Sequence, residues 1–259
     1  MEEVSMQFTT SRFAFAAVLG LTLTTVSNAA LTHRFSFNET TPKDSAGTAE
    51  AMLKGAAKIA DGKLVLDNGD KTSTDSALSY LEFKSSLLPK SGSVSIVFWI
   101  TAKEQGNFAR VINFGETADG IGSAFIYITP HTADGQSRAA ISATDTASKT
   151  YLDFAPIDDG KPHCVAVIID GSAKKLRVFV DAKEAGTPAD LGDNTLDKVK
   201  PTSNWVGKSS FDNDSGLTGA LDELRIYDTA LTSDEVTTIN KAGADSLPAA
   251  AGAAPQPAK

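Results

Sequence analysis

Any chemistry this chain performs must come from its carboxylates, histidines and single thiol, whose spacing says what they can do together. Phe211 to Gly216 reads Phe-Asp-Asn-Asp-Ser-Gly, setting Asp212, Asn213 and Asp214 close together as in a calcium loop. No downstream bidentate glutamate follows, and Asx-rich runs form turns far more often than ion sites, so this stretch reads as a loop. Glycosidic hydrolysis would need two carboxylates about 5 to 10 Å apart. Residues two apart on a strand share a face, so a same-strand pair would show acidic residues at i and i+2. The nearest match, Asp222 and Glu223, is adjacent and splits across two faces, while Glu82, Glu104 and Glu116 each stand alone. His33, His131 and His163 lie far apart without metal-ligand spacing. A nucleophile elbow, a Walker loop and a dinucleotide fingerprint are all missing. Cys164, the one cysteine, sits in the apolar run His163 to Asp170; it reads as a small core residue, and a single cysteine rules out an internal disulfide.

The elements that would position these groups are strands. Apolar runs of four to eight residues recur between Gly, Asp, Asn, Ser and Pro, among them Arg34 to Phe37, Lys63 to Asp67, Leu78 to Phe83 and Ser93 to Ile100. Arg110 to Phe114, Ala124 to Thr129, Arg138 to Ala143, Tyr151 to Ala155, Val165 to Asp170, Lys175 to Asp181 and Ala220 to Tyr227 continue the pattern. Short β-branched and aromatic runs spaced by turn residues predict an all-β, antiparallel sandwich. Gly171-Ser172-Ala173 predicts a tight hairpin through glycine's tolerance of positive φ. One helix is expected near the C-terminus: Thr232 as N-cap with Glu235 completing a capping box, Leu231 and Val236 as a hydrophobic staple, and Gly243 as the stop.

The formal charge of −8 over 259 residues argues against nucleic acid, whose phosphates require clustered Lys and Arg. Arg12 followed by the apolar stretch Phe13 to Leu23, and then Ser27-Asn28-Ala29, reads as a signal peptide over residues 1–29, cleaved after Ala29. The acidic start leaves Met1 and Met6 both open as translation starts. A stretch of that length cannot span a bilayer, and no lipidation motif follows. Residues 30–245 form the expected domain, and the Pro/Ala-rich residues 246–259 read as a disordered tail.

Four segments, in order, resemble the laminin-G-like jelly-roll family of the concanavalin A-like class. They are the opening strand and Asp-Ser-Ala-Gly loop (Leu31 to Gly47), the Trp-containing strand Gly92 to Thr101, the hairpin Asp158 to Ala185, and the closing loop, strand and helix start (Asn204 to Val236). The resemblance runs from about Leu31 to about Ala242. One departure is visible: Lys161-Pro162 stands where the family often has Trp before the hairpin His.

The resemblance implies a jelly roll with a structural Ca²⁺ bound by Asp44 and Asp222, brought together by pairing of the first and last strands. Asp222 shares strand parity with Leu224 and Ile226, which would aim it inward. It further implies a secreted, non-catalytic recognition module for a glycan or an extracellular protein. A glycoside hydrolase or lyase of the same fold and a structural adhesion component are the alternatives. Trp99 and Trp205 are assigned to the core, and Tyr80, Tyr127 and Tyr151 are the surface candidates for stacking on sugar.

Overall fold

A computed structural model describes residues 29–247 together with Met1; the signal-peptide reading and most of the tail fall outside the described residues. In chain order the strands are β1 (Leu31–Phe35), β2 (Ala51–Lys54), β3 (Lys58–Ala60), β4 (Lys63–Leu66), β5 (Tyr80–Phe83) and β6 (Val94–Ala102). Then come β7 (Ile112–Ala118), β8 (Ile121–Thr129), β9 (Ser137–Ile141), β10 (Thr150–Phe154), β11 (Pro162–Asp170) and β12 (Lys175–Val180). The last are β13 (Lys183–Glu184), β14 (Ala189–Asp190), β15 (Ser203–Val206) and β16 (Gly219–Tyr227), followed by helix α1 (Ser233–Ala242).

These strands make two antiparallel sheets. One, of nine strands, runs β13-β12-β11-β6-β16-β4-β3, with β1 also on β16 and β14 on β12. The other, of seven, runs β10-β9-β8-β7-β15-β5-β2. The inward-facing residues of both, including Phe35, Leu64, Phe98, Phe114, Ile128, Val167 and Leu224, form one shared core. Phe35, Phe83 and Phe114 stack through it, with ring centroids 5.0 and 6.3 Å apart. A fully buried Phe of this kind contributes about 1.5–3 kcal/mol, so the sandwich needs no disulfide to hold its layers together. The first and last strands do pair, with Leu31 opposite Tyr227 and Phe35 opposite Leu224.

Two local differences from the sequence reading have clear physical causes. A bulge interrupts β16 between Leu221 and Glu223. The extra residue lets Leu221, Leu224 and Ile226 all face the core despite their mixed parity. Asp222 is thereby turned away from the interior that its parity predicts, and it meets Lys63 instead. In the β11–β12 hairpin the positive φ belongs to Lys174, at 53°. Gly171 is required for a different reason: a Cβ there would come within 2.2 Å of the Gly92 carbonyl oxygen.

Helix α1 forms as its caps predict. The Thr232 hydroxyl accepts from the Glu235 amide, and the Glu235 carboxylate accepts from the Thr232 amide at 2.7 Å. Its apolar face, Val236 and Ile239 with Leu231, lies on the outer face of the nine-stranded sheet against Val97, Ala166, Ile168, Phe179 and Cys164. Burial pushes the Cys164 thiol up to about 12, which keeps it an inert packing group.

Candidate functional site

Of the two outward sheet faces, one is covered by α1. The other, on the seven-stranded sheet, carries aromatic rings and cations. Strand register sets one row of outward residues across it: Tyr151, Ala140, Tyr127, Asn113, Trp205, Glu82 and Met52, each directly opposite the next. Their chain neighbours Leu152, Ile126, Phe114, Val206 and Leu81 all point into the core, so alternation alone puts this row outside.

The row has a covered centre and two open ends. At the centre Tyr127 lies beneath the Arg110 guanidinium, whose Cζ is 3.8 Å from the ring centroid. Arg110 is held by the returning loop after β15, donating to Asp214 at 2.7 Å while the Ser209 hydroxyl donates to the same carboxylate at 2.6 Å. Burial pushes the Arg110 guanidinium down and the Asp214 carboxyl up, as expected for an ion pair taken out of water. The Asp212–Asp214 run is thus a loop that pins a cation, in keeping with its turn composition.

At one end Trp205 and Tyr80 meet edge to face with centroids 6.2 Å apart, both half-buried. The Lys208 ammonium sits 4.8 Å from the Tyr80 ring and 4.9 Å from the Trp205 ring. Glu82 pairs with Lys54 at 2.9 Å alongside. At the other end Tyr151 is 46% exposed. Arg138, bonded through two nitrogens to Asp153, lies 4.1 Å from its ring, and Lys149 lies 5.3 Å away. Four strand spacings of about 4.8 Å put the two ends about 19 Å apart. Partly exposed rings flanked by hydrogen-bonding groups suit a sugar's C–H face and hydroxyls.

Trp205 therefore differs from its core assignment, whereas Trp99, half-buried on the opposite outer face with Arg225 4.7 Å above it, packs against the apolar cluster beneath α1. The flanking Asn204 and Val206 are both buried, so the parity around Trp205 pointed outward, but Asn at an inward position hid it. The three tyrosines named as surface candidates, Tyr80, Tyr127 and Tyr151, all fall on this one face. A separate hollow of about 670 Å³ at the rim is lined by residues including Thr144, Ser148, Asp193 and Lys198. Its buried Asn194 already bonds the Ser148 carbonyl and the Ala143 amide at 2.8 Å each.

Asp44 and Asp222 do not present a calcium shell. The Asp44 side chain is 1% exposed and accepts from the amides of Arg34, Ala46, Gly47 and Ala49 and from His33 Nδ1 at 2.6 Å. Asp222 is paired with Lys63 at 2.6 Å. Among the described residues no group of three or more His, Cys, Asp or Glu is arranged to hold a metal. Both Asp44 oxygens and Asp222 Oδ2 are directed at N–H donors, so these residues as placed do not fit the ion. Adding Ca²⁺ to EDTA-treated protein should leave its unfolding temperature unchanged; a rise of several degrees in calorimetry would show that the loop rebuilds around the ion.

The histidines are held apart from one another, each by one or two carboxylates. His131 Nδ1 lies 3.0 Å from Asp158, and His163 lies 2.9 Å from Asp181 and 3.1 Å from Asp159. Burial lowers the His163 pKa, but the hydrogen bonds to Asp181 and Asp159 outweigh it and the net shift is upward. The folded protein then binds this proton more tightly than the unfolded chain. His163 thus stabilises fully below its unfolded pKa of about 6.5, and that contribution is lost as pH rises through the higher folded value. Replacing His163→Gln should flatten this decline in urea midpoints measured across the neutral range, and an imidazole NMR titration should place the wild-type pKa above 6.5.

A sandwich of two antiparallel sheets with one outer face capped by a helix is a jelly-roll architecture, and sequence comparison agrees. A laminin-G-type family model, described as the concanavalin A-like lectin/glucanases superfamily, matches residues 75–237, and the chain belongs to this superfamily. No curated protein sequence matches. Domain 4 of AbnA, a GH43 extracellular arabinanase from Geobacillus stearothermophilus, solved with arabinotriose, is similar over 81% of this chain and 98% of its own, at 20% identity and TM-score 0.54. The binding domain of botulinum neurotoxin serotype D/C is similar over 82% of this chain at 13% identity and TM-score 0.61, the match spanning 52% of that chain. A structure of botulinum neurotoxin type C, whose cell entry depends on interaction with two ganglioside molecules, matches at 13% identity and TM-score 0.60, over 82% of this chain and 51% of its own. At these identities the likeness is one of fold.

Proposed function

We propose that this protein is a secreted, non-catalytic glycan-binding module whose ligand lies on the outer face of the seven-stranded sheet. The observation that carries this reading is the pair of open aromatic ends, Tyr80 with Trp205 and Tyr151, on the one large face that α1 leaves free. An arabinotriose-bound domain and a ganglioside-dependent toxin domain of the same fold support it by analogy. Secretion is supported by the Arg12-to-Ala29 segment. The non-catalytic assignment is supported by Asp44, Asp158, Asp214 and Glu223 each being engaged by a basic side chain.

The test is a glycan array probed with wild-type protein and Trp205→Ala. Removing one stacking ring should weaken retained glycans by about tenfold to a hundredfold, if the indole contributes about 1.5–3 kcal/mol of buried contact. Unchanged binding by Trp205→Ala would move the site elsewhere. Turnover of any bound polysaccharide would replace the binding module with an enzyme.

A further inference from the structure

Lys208 occupies an unusual position for a cation in a chain of net charge −8. Its ammonium fits the corner between the Tyr80 and Trp205 rings, at 4.8 and 4.9 Å from their centroids, and among the described residues it has no ion-pair partner. Burial pushes its pKa down, with Glu82 and Asp212 opposing the shift only in part. The other open end repeats the arrangement: Lys149 lies 5.3 Å from the Tyr151 ring, bonded to the Thr146 carbonyl and to no carboxylate among the described residues.

This placement bears on which sugar can stack there. A neutral sugar laid on Trp205 would strip water from the Lys208 ammonium and return nothing for it, a cost of charge burial. A sugar carrying a negative group would supply the missing partner while its ring takes the aromatic face. A carboxylate fixed directly to a ring carbon stays within reach of an ammonium held this close to the stacking plane. The two lysines stand beside rings at opposite ends of the face, Tyr151 and Trp205, which four strand spacings set about 19 Å apart, so they ask for acidic groups repeated along a chain, not one at its tip.

We infer that the face takes an acidic oligosaccharide with repeating ring carboxylates, a uronate chain, with Lys208 above Trp205 and Tyr80 as the principal charge-reading residue and Lys149 beside Tyr151 as the second. This rests on the glycan-binding reading above and deepens it. It accounts for the cations at both open ends, which a neutral ligand leaves unexplained.

The experiment is isothermal titration of the full chain with four probes of matched length: an oligogalacturonate, its carboxyl-reduced neutral counterpart, a sulfated oligosaccharide and a sialylated one. The oligogalacturonate should bind at least tenfold more tightly than its neutral counterpart, and the preference should shrink as salt rises. Lys208→Met keeps the aliphatic stem over the rings and removes the charge, so it should lose about tenfold for the uronate; Lys208→Arg should recover most of it. Equal binding of the neutral and acidic chains, unchanged in Lys208→Met but lost in Trp205→Ala, would overturn the charge assignment and leave the glycan platform standing. Tighter binding of the sulfated or sialylated probe would overturn the choice of carboxylate or of a repeating chain. No binding of any probe would overturn this inference and, with a silent glycan array, the functional reading beneath it.

Discussion

Replacing Glu223→Leu should destabilise the fold by about 3–5 kcal/mol, the range for removing one partner of a buried ion pair. The Glu223 side chain has no exposed surface, and it accepts from Arg34 through Nε at 2.7 Å and Nη2 at 3.1 Å and from Arg225 Nε. Arg225 is equally inaccessible, so the substitution strands its charge in the interior. The damage would spread along the chain. Arg225 Nη2 donates to the carbonyls of Gly243, Ala244 and Ser246, and Arg34 Nη2 to that of Asp245, so the cluster straps the segment after α1 to the back of the nine-stranded sheet. Adding Arg225→Met to Glu223→Leu should recover much of the loss, because an apolar replacement of a buried pair often breaks even. Urea unfolding of the three proteins decides it. A cost below about 1 kcal/mol for Glu223→Leu alone would mean that water reaches this cluster.

Asp44→Ala should be the second large effect, about 3 kcal/mol or more, because charge-assisted hydrogen bonds are worth about 1.5–3 kcal/mol each and several donors lose their acceptor together. The Asp44 carboxylate ties the β1 amide of Arg34 to the loop amides of Ala46, Gly47 and Ala49. A Cβ on Gly47 would lie 2.6 Å from Asp44 Oδ2, which shows how closely the loop is wrapped. Burial pushes the Asp44 carboxyl up, but the His33 and amide hydrogen bonds outweigh it and hold the group below the usual range. A depressed folded pKa stabilises above the unfolded value of about 3.9, and the contribution vanishes as pH falls through the folded value. Wild type should therefore lose stability below about pH 4 more steeply than Asp44→Ala does, by acid titration followed with circular dichroism.

The same residues show what could be read in advance. Alternation in Leu78 to Phe83 and in Tyr151 to Ala155 already separated Tyr80 and Tyr151 from their core-facing neighbours Leu81, Phe83, Leu152 and Phe154. Capping chemistry placed α1 to the residue, since Thr232, Glu235 and Gly243 act locally. The β16 bulge was invisible because nothing in Leu221-Asp222-Glu223 specifies an extra residue; pairing with β6 on one side and with β4 and β1 on the other decides it. The Glu223–Arg34–Arg225 cluster was equally hidden, since it joins positions 189 residues apart. The site itself was half legible. Its tyrosines could be named, but Trp205 was lost to an inward Asn204, and Lys208 has meaning only once two strands lie side by side.

The protein's two tryptophans stand on opposite outer faces, which makes one spectrum decisive. A ¹⁵N-labelled sample shows two indole N–H signals, assigned by Trp205→Phe and Trp99→Phe, and is titrated with the tightest glycan from the array. A ligand on the seven-stranded sheet should move the Trp205 signal progressively while Trp99, beneath Arg225, stays in place. Movement of Trp99 with Trp205 fixed would put the ligand on the helix-covered face and contradict the account at its root.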